Sequence, residues 1–376
     1  MTSSGRRLTP CLALVVGCLA VPAPAAATYD AEPPVGEPVR QTFTPRMEES
    51  GIAARDVKLG PERLNRPLRT QRVDLVGLTW KGEAPPLRVR TRSADGWTDW
   101  QPTEVIDDGP DAGSREAKGV TGTDLLWTGG ADRVQVDVRG PRPAGLTLTL
   151  MDLPPSITAA PAMRTAVPLA RGTNEFRPRW FGRRAWGADP RLRDGRPTYN
   201  RTIQQLHVHH TVNSNDYRAG DVPALIRGMY RYHTVNLGWS DIGYNFLVDR
   251  FGRIWVGRAG GPKEAVRGAH TLGFNATSTG VALIGNFETS EPSRKARKAL
   301  VHLAAWKLDK YDRKPRGKVR VFSHGSDRFR YGARVKLPVL DGHRDTNQTA
   351  CPGIKLYRRL PDIRVRTANR IERFRG

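Results

Sequence analysis

The chain has 376 residues, of which 38% are apolar, 26% charged and 7% aromatic. This composition excludes a disordered chain or a repetitive fibre, and the length leaves room for two domains of ordinary size. The excess of 61 Lys and Arg over 37 Asp and Glu gives a net charge of +24, which predicts attraction to an anionic partner. Three cysteines are too few for a scaffold built on disulfides.

The N-terminus has the pattern of a secretory signal peptide over residues 1–27. Arg6 and Arg7 precede an apolar run at residues 12–20, and a stretch rich in Pro and Ala follows. The run is shorter than the ~20 residues that span a bilayer, so we expect a secreted mature chain without a transmembrane segment. The alternative is a lipoprotein acylated at Cys18.

Charge divides the rest of the chain into two parts. Residues 28–163 hold 17 Lys and Arg against 20 Asp and Glu, a net charge of −3, and residues 164–376 carry +25. A stretch rich in Pro, Ala and Ser lies between them and is typical of a linker. We therefore predict an accessory domain over 28–153, a linker over 154–177 and a second domain over 178–376.

The first of these domains shows period-two alternation of apolar and polar residues, which predicts half-buried antiparallel strands. The alternating stretches are residues 72–80, 87–91, 134–138 and 146–150. A small all-β, sandwich-like fold is expected. Trp97 and Trp100 are either a sugar-binding platform or aromatic residues of the core or of an edge strand.

The second domain alternates strand-like and helix-like segments, which predicts a mixed central β-sheet flanked by helices, an α/β fold. Strands are expected at residues 206–210, 244–248, 253–256 and 280–285, and helices at 222–232 and 293–311.

The histidines indicate a metal site in the second domain. All of them follow residue 200, at positions 207, 209, 210, 233, 270, 302, 324 and 343, and the single mature cysteine is Cys351. Imidazole and thiolate together suit zinc better than magnesium or calcium. Spacing nominates one histidine from 207, 209 and 210, together with His343 and Cys351, and the strand period does not choose between 207 and 209, which share a face.

A series of motifs in the second domain resembles the peptidoglycan recognition protein family over about residues 184–357. The motifs are Val-His-His-Thr at 208–211, Gly-Trp-Ser-Asp-Ile-Gly-Tyr-Asn-Phe at 238–246, Gly-Arg at 257–258, Gly-Ala-His-Thr at 268–271, Ile-Gly-Asn-Phe at 284–287, Gly-His-Arg-Asp at 342–345 and Cys-Pro-Gly at 351–353. Catalytic members of that family, which are related to the bacteriophage lysozyme-type amidases, are zinc-dependent N-acetylmuramoyl-L-alanine amidases. The order of these seven motifs along the chain makes the resemblance specific.

The resemblance implies a role for individual residues. His209, His343 and Cys351 match the zinc ligands, and the retained cysteine favours an enzyme over a receptor. Tyr244 resembles the tyrosine that hydrogen-bonds the zinc-bound water, and Thr349 matches a residue that assists the substrate carbonyl. Zinc would lower the pKa of that water and polarise the amide, and no Glu presents itself as a general base.

The resemblance also places Trp239, His270 and Asn275 at the substrate groove. The segment at residues 259–267 is longer than the one that reads the third stem-peptide residue in relatives, so diaminopimelate and lysine stems both stay open. The expected reaction is hydrolysis of the amide bond between N-acetylmuramic acid and L-alanine of peptidoglycan.

Two other classes of function compete with this one. A non-catalytic peptidoglycan-binding protein would be expected to lack a zinc ligand, and the sequence lacks none. A nucleic-acid binder suits the basic second domain, but the predicted export and zinc site argue against it, and anionic wall polymers offer the same attraction outside the cell. The N-terminal domain is interpreted as a wall-binding module or a spacer.

Overall fold

The computed structural model describes residues 41–43, 46–47, 52–83, 85–153 and 176–375. The predicted signal peptide and all but the last two residues of the predicted linker lie outside these ranges, so both stay predictions. No helix within the described ranges is long and apolar enough to cross a membrane.

The N-terminal domain, residues 41–153, is all-β, as predicted. Its strands are β1 (Thr42–Phe43), β2 (Arg46–Met47), β3 (Ala53–Lys58), β4 (Leu68–Lys81), β5 (Leu87–Ser93), β6 (Gly96–Trp97), β7 (Gln101–Pro102), β8 (Val120–Gly122), β9 (Leu126–Val138) and β10 (Ala144–Asp152). They form a ten-stranded sheet with the main order β2-β3-β10-β4-β9-β5-β6. Every predicted strand lies inside β4, β5, β9 or β10, and these four strands pair antiparallel.

The C-terminal domain, residues 176–375, is a mixed α/β fold, and the predicted fold class is confirmed. Its strands are β11 (Gln205–His210), β12 (Phe246–Val248), β13 (Ile254–Val256), β14 (Ser278–Leu283), β15 (Lys318–Phe322), β16 (Arg334–Pro338) and β17 (Leu340–Gly342). Its helices are α1 (Arg183–Trp186), α2 (Val222–Arg231), α3 (Arg294–Lys310), α4 (Ile354–Tyr357) and α5 (Leu360–Arg375), with a π-helical turn over Tyr232–Asn236.

The central sheet of this domain has the strand order β13-β12-β14-β11-β17. Four strands run parallel to one another, namely β12, β14, β11 and β17. The edge strand β13 pairs antiparallel with β12. The carboxyl ends of the parallel strands therefore meet at one edge, where α/β sheets place their ligands. The antiparallel pair β15 and β16 forms a separate two-stranded sheet.

The two domains share a buried interface, and residues 38–376 form one compact unit. One hydrophobic cluster is continuous across both domains, since it contains Ile52, Leu75, Leu125, Met151 and Leu153 of the first domain and Leu225, Ile226, Met229 and Tyr232 of the second. Strand β4 was expected to be half-buried, but residues 73–80 are buried on both faces. The reason is that α2 and the π turn cover the face that would otherwise meet solvent.

Tyr232 is the central contact of this interface. Its side chain is fully buried, and its hydroxyl lies 2.9 Å from the carbonyl oxygens of both Leu78 and Thr123. A Cβ on Gly77 would come within 2.6 Å of the Tyr232 ring, and one on Gly122 within 2.8 Å of its hydroxyl. Glycine is therefore needed at both positions for the ring to approach the sheet so closely.

Candidate metal centre

Strand register brings the first two candidate ligands together. β11 pairs parallel with β17, with His207 opposite Asp341 and Val208 opposite Gly342. One step further along, His209 lies beside His343, with 4.6 Å between the ring centroids. The register therefore makes the choice that strand periodicity left open.

Cys351 joins these two histidines from the loop before α4. The metal-ligating atoms of His209, His343 and Cys351 all lie within 4.8 Å of one another, and all three residues are buried. The Cys351 sulfur is 3.7 Å from His209 Nδ1 and accepts a hydrogen bond from the His210 amide at 3.4 Å. This loop requires glycine at position 353, because the φ there is +85° and an added Cβ would lie 2.2 Å from the Phe287 carbonyl carbon.

The neighbouring histidines have other partners. His207 Nδ1 bonds the buried carboxylate of Asp341, so the second histidine on that strand face is held by a carboxylate. His210 Nδ1 accepts the Phe287 amide at 3.3 Å, on the opposite face of β11. Strand alternation accounts for this position, since successive side chains point to opposite faces.

Three further histidines lie outside the cluster. His233 Nδ1 accepts the Gly243 amide at 3.1 Å, His302 lies on α3, and the His324 ring packs edge-on against Tyr331 at 6.0 Å. We assign structural roles to them.

His270 is held directly behind His209. Its Nδ1 lies 3.1 Å from His209 Nε2, and it is fully buried. A slot between Gly268 and Gly280 admits the ring, because a Cβ at either position would come within 2.4 Å of it. Asn275 Oδ1 accepts the His270 amide at 2.9 Å. A histidine that contacts the far nitrogen of a ligating imidazole fixes its orientation.

The other predicted site residues surround the cluster. The Tyr244 ring packs against His209, with 5.6 Å between centroids, and the Trp239 ring packs against His233 at 4.5 Å. Thr349 Oγ1 accepts the Cys351 amide at 3.1 Å. Tyr244 and Thr349 therefore lie beside a ligand, whereas Trp239 packs on His233, which in turn lies 5.8 Å from the Tyr244 ring.

The site contains one residue that the sequence analysis missed, Asp108 of the N-terminal domain. Its Oδ1 lies 3.2 Å from His209 Nδ1 and 3.3 Å from His343 Nδ1. Its Oδ2 accepts a hydrogen bond from the Tyr244 hydroxyl at 2.5 Å. The side chain is 7% exposed, and Oδ1 is buried without a hydrogen-bond partner.

The segment around Asp108 covers the groove residues. The Asn275 side-chain amide donates to the Gly109 carbonyl at 2.8 Å, and the Gly273 amide donates to Asp111 at 2.9 Å. A Cβ on Gly109 would lie 3.7 Å from the Trp239 ring. The Thr349 hydroxyl hydrogen-bonds Asp107. The acidic sequence Asp-Asp-Gly-Pro-Asp at 107–111, in a loop between strands, is the only local signal that could have drawn attention to this segment.

Burial sets the protonation of the cluster. It lowers the pKa of His343 to about 3 and that of His209 well below its ordinary value, so both imidazoles are neutral and able to bind a metal. Burial also raises the pKa of the Cys351 thiol well above its ordinary value and that of Asp108 to about 6. A dication among these groups would offset the burial that favours the thiol over the thiolate.

The donor set fits zinc. Zinc bonds of about 2.0–2.3 Å to nitrogen, oxygen and sulfur place neighbouring ligands of a tetrahedral site about 3.3–3.6 Å apart. The distances from Asp108 Oδ1 to the two imidazoles, 3.2 and 3.3 Å, and from Cys351 to His209, 3.7 Å, are close to these separations. Two imidazoles and a thiolate are soft enough to exclude magnesium and calcium.

The two tryptophans of the N-terminal domain lie beneath arginines. The Arg90 guanidinium lies 4.6 Å from the Trp97 ring centroid and 4.8 Å from that of Trp100, and Arg88 lies 4.6 Å from Trp100. Both tryptophans are half-buried. These contacts favour aromatic residues near the edge of the sheet over a free sugar platform.

The C-terminal domain is thus a mixed α/β domain with a candidate metal site, a buried His-His-Cys cluster at the carboxyl ends of parallel strands. The family described as N-acetylmuramoyl-L-alanine amidase matches residues 199–354, and the family described as Rv3811 N-terminal galactose-binding domain-like matches residues 25–168. The chain belongs to the family of peptidoglycan-recognition proteins and N-acetylmuramoyl-L-alanine amidases, as the sequence motifs predict.

Individual relatives cover parts of the chain. Peptidoglycan-recognition protein SA of Drosophila melanogaster is 37% identical over 123 residues, which are 33% of this chain and 58% of that protein. Peptidoglycan-recognition protein SC1a of the same species is 30% identical over 155 residues, 41% of this chain and 69% of that protein. The N-acetylmuramoyl-L-alanine amidase of Homo sapiens is 33% identical over 199 residues, 50% of this chain and 30% of that protein.

Proposed function

We propose that this chain is a secreted, zinc-dependent N-acetylmuramoyl-L-alanine amidase that hydrolyses the amide bond between N-acetylmuramic acid and L-alanine in peptidoglycan. The observation that carries the proposal is the convergence of His209, His343 and Cys351 within 4.8 Å in a buried cluster. A recognition protein without activity needs no such set of ligands. The match of residues 199–354 to the amidase family supports the same conclusion.

The three ligands would hold a zinc ion that polarises the scissile carbonyl and lowers the pKa of a water molecule toward ~7. Around them, the chain positions the reacting groups. The Tyr244 hydroxyl, which donates to Asp108 beside the ligands, can donate to the carbonyl oxygen instead as negative charge develops there, once Asp108 has moved away. Thr349, two residues before Cys351, supplies a second donor on the same side.

Binding and orientation involve the residues behind and beside the ligands. His270 fixes the ring of His209, and Asn275 in turn fixes His270. The side-chain amide of Asn275 and the ring of Trp239 line the groove, where they can contact the stem peptide once they are free of the segment that covers them. The basic surface of the C-terminal domain would hold the enzyme on an anionic cell wall.

Secretion is part of this proposal and is supported by the pattern of residues 1–27. A peptidoglycan hydrolase has its substrate outside the cytoplasmic membrane. The lone mature cysteine suits such a compartment, because a metal would protect Cys351 from oxidation.

The test is a mass-spectrometric analysis of muropeptides after digestion of purified peptidoglycan. We expect free stem peptides that begin with L-alanine, their loss on addition of a chelator, and their return with zinc. Cys351→Ser should release none, while the matched control His302→Gln, which changes a histidine outside the cluster, should release as much as wild type. Undiminished release in chelator, or from Cys351→Ser, would contradict the proposal.

A further inference from the structure

We propose that Asp108 is the fourth ligand of a closed tetrahedral metal site and that its segment, residues 103–119, holds the C-terminal domain in a latent state. The ligand assignment depends only on the geometry of the site, whereas latency rests on the proposed amidase function. The segment is a 17-residue excursion, residues 103–119, between β7 and β8 of the N-terminal domain.

The evidence for the ligand assignment is the position of the Asp108 carboxylate. Oδ1 faces two ring nitrogens at 3.2 and 3.3 Å, has no hydrogen-bond partner and belongs to a side chain that is 93% buried. A carboxylate oxygen in such surroundings is costly unless a cation compensates it. A metal ion among Asp108, His209, His343 and Cys351 would satisfy this oxygen, both imidazoles and the thiolate together.

A plain ion pair between Asp108 and the two histidines does not account for the arrangement. An ion pair would need two imidazolium charges against one carboxylate, in side chains that are only 0% and 1% exposed, and burying such unbalanced charge is costly. The donor of a neutral imidazole lies on one nitrogen only, and His209 uses its other nitrogen to contact His270. A shared metal explains why both Nδ1 atoms point at one oxygen.

The rest of the segment occupies the groove in the place of a substrate. Of the five residues that the sequence assigns to catalysis or substrate binding, three contact residues 107–111, and these three are Tyr244, Asn275 and Thr349. The Trp239 ring lies close by, 3.7 Å from the place that a Cβ on Gly109 would take. The fifth, His270, lies behind His209. A peptide can reach the metal ligands only after this segment has moved.

Anchors on both sides of Asp108 fix the segment. Asp111 accepts hydrogen bonds from the Gly273 amide and from the Asn275 side chain, each at 2.9 Å. Glu116 forms an ion pair with Arg258, which is 5% exposed. The acidic segment thus contacts the basic domain through an ion pair and two hydrogen bonds, and the net charges of −3 and +25 favour the same association.

Closure of the coordination sphere has a chemical consequence. Structural zinc sites have four protein ligands, whereas catalytic sites keep one position open. With Asp108 in place this site belongs to the closed kind. Withdrawal of Asp108 would open one position and free the Tyr244 hydroxyl at the same time, since the same carboxylate engages both.

The test uses the full-length protein with cobalt(II) in place of zinc, and thiocyanate as a probe for an open coordination position. Asp108→Asn removes the ligand, and Asp111→Ala releases the segment while keeping all four ligand side chains. Glu104→Gln is the matched control, because it makes the same charge change at an exposed position of the same segment. Circular dichroism shows that each variant is folded.

We expect the cobalt spectrum of wild type and Glu104→Gln to be insensitive to thiocyanate, and that of Asp108→Asn and Asp111→Ala to shift. Competition with a chromophoric chelator should show a zinc affinity lower by about tenfold or more in Asp108→Asn. Equal zinc affinities together with equal thiocyanate responses in wild type and Asp108→Asn would overturn the ligand assignment.

The activity arm separates this inference from the proposed function. Asp108→Asn and Asp111→Ala should release stem peptides faster than wild type and Glu104→Gln. Cleavage that is lost in Asp108→Asn but full in wild type would overturn latency. Absence of cleavage in every form, with the spectral differences intact, would refute the amidase function and leave the ligand assignment standing.

Discussion

The hydroxyl of Tyr232 offers a direct way to weaken the contact between the two domains. Tyr232→Phe keeps the ring that packs against Gly77 and Gly122 and removes only the group that lies 2.9 Å from the carbonyl oxygens of Leu78 and Thr123. Loss of a buried hydrogen bond of this kind costs about 1–2 kcal/mol. The population of undocked molecules should therefore increase by about 5- to 30-fold.

The assay is native-state hydrogen exchange, which measures such local openings. The reporter is the amide of Gly273, because its acceptor is the Asp111 carboxylate of the other domain, 2.9 Å away. We expect this amide to exchange about 5- to 30-fold faster in Tyr232→Phe. Amides within α3, which makes no part of the interface cluster, should keep their wild-type rates.

The matched control is Tyr230→Phe. Tyr230 lies two residues earlier, in α2, and is as buried as Tyr232, but its hydroxyl donates to the Asp189 carbonyl at 2.8 Å, inside the C-terminal domain. This control should leave the exchange of Gly273 unchanged. An equal acceleration in both variants, or none in Tyr232→Phe, would refute the idea that this hydroxyl helps to hold the domains together.

Three further predictions follow from local geometry. Gly280→Ala places a Cβ 2.4 Å from the His270 ring, so the zinc affinity measured by chelator competition should fall about tenfold or more. An unchanged affinity would contradict the role of the slot that holds the His270 ring. Ser293→Ala removes the hydroxyl that caps α3 and should lower the free energy of unfolding in urea by about 1 kcal/mol, whereas no change would refute the cap. Burial lowers the pKa of Lys307 to about 7, whereas the unfolded chain keeps that proton up to about pH 10.4. The free energy of unfolding of wild type, measured relative to that of Lys307→Met, should therefore rise between pH 7 and 10. A difference that does not change with pH would argue against a neutral buried lysine.

Periodicity placed the strands and helices that it predicted, because it depends on local burial, but it did not predict α5 or the pair β15 and β16. The alternation in β4 and the apolar stripe of α2 place both elements correctly. What periodicity could not predict is that the second face of β4 packs against α2. That contact joins residues more than a hundred positions apart, and nothing in either segment alone indicates its partner.

The metal ligands show the same division between local and long-range information. Spacing nominated one histidine from 207, 209 and 210, and strand periodicity did not choose between His207 and His209, which share one face. The resemblance to known amidases nominated His209. The structure supplies the physical reason, since the register of β11 against β17 pairs His207 with Asp341 and carries His209 to His343. Strand register depends on the whole sheet and is not contained in the sequence of one strand.

Asp108 could not have been predicted from its own surroundings. An acidic sequence that contains Gly and Pro is typical of a solvated turn, and the N-terminal domain holds no histidine or cysteine that would suggest metal binding. Its role becomes visible only when the excursion between β7 and β8 meets the other domain. The opposite charges of the two domains were the one feature of the sequence that indicated such a contact.

The central claim is that one metal centre forms at the junction of the two domains. Diffraction data collected on both sides of the zinc absorption edge, from crystals of the full-length protein, test it most directly. The account predicts a single anomalous peak, about 2.0–2.3 Å from His209 Nδ1, His343 Nδ1, Cys351 Sγ and Asp108 Oδ1. A zinc-loaded protein with no peak among these four atoms, or with its peak elsewhere, would contradict it.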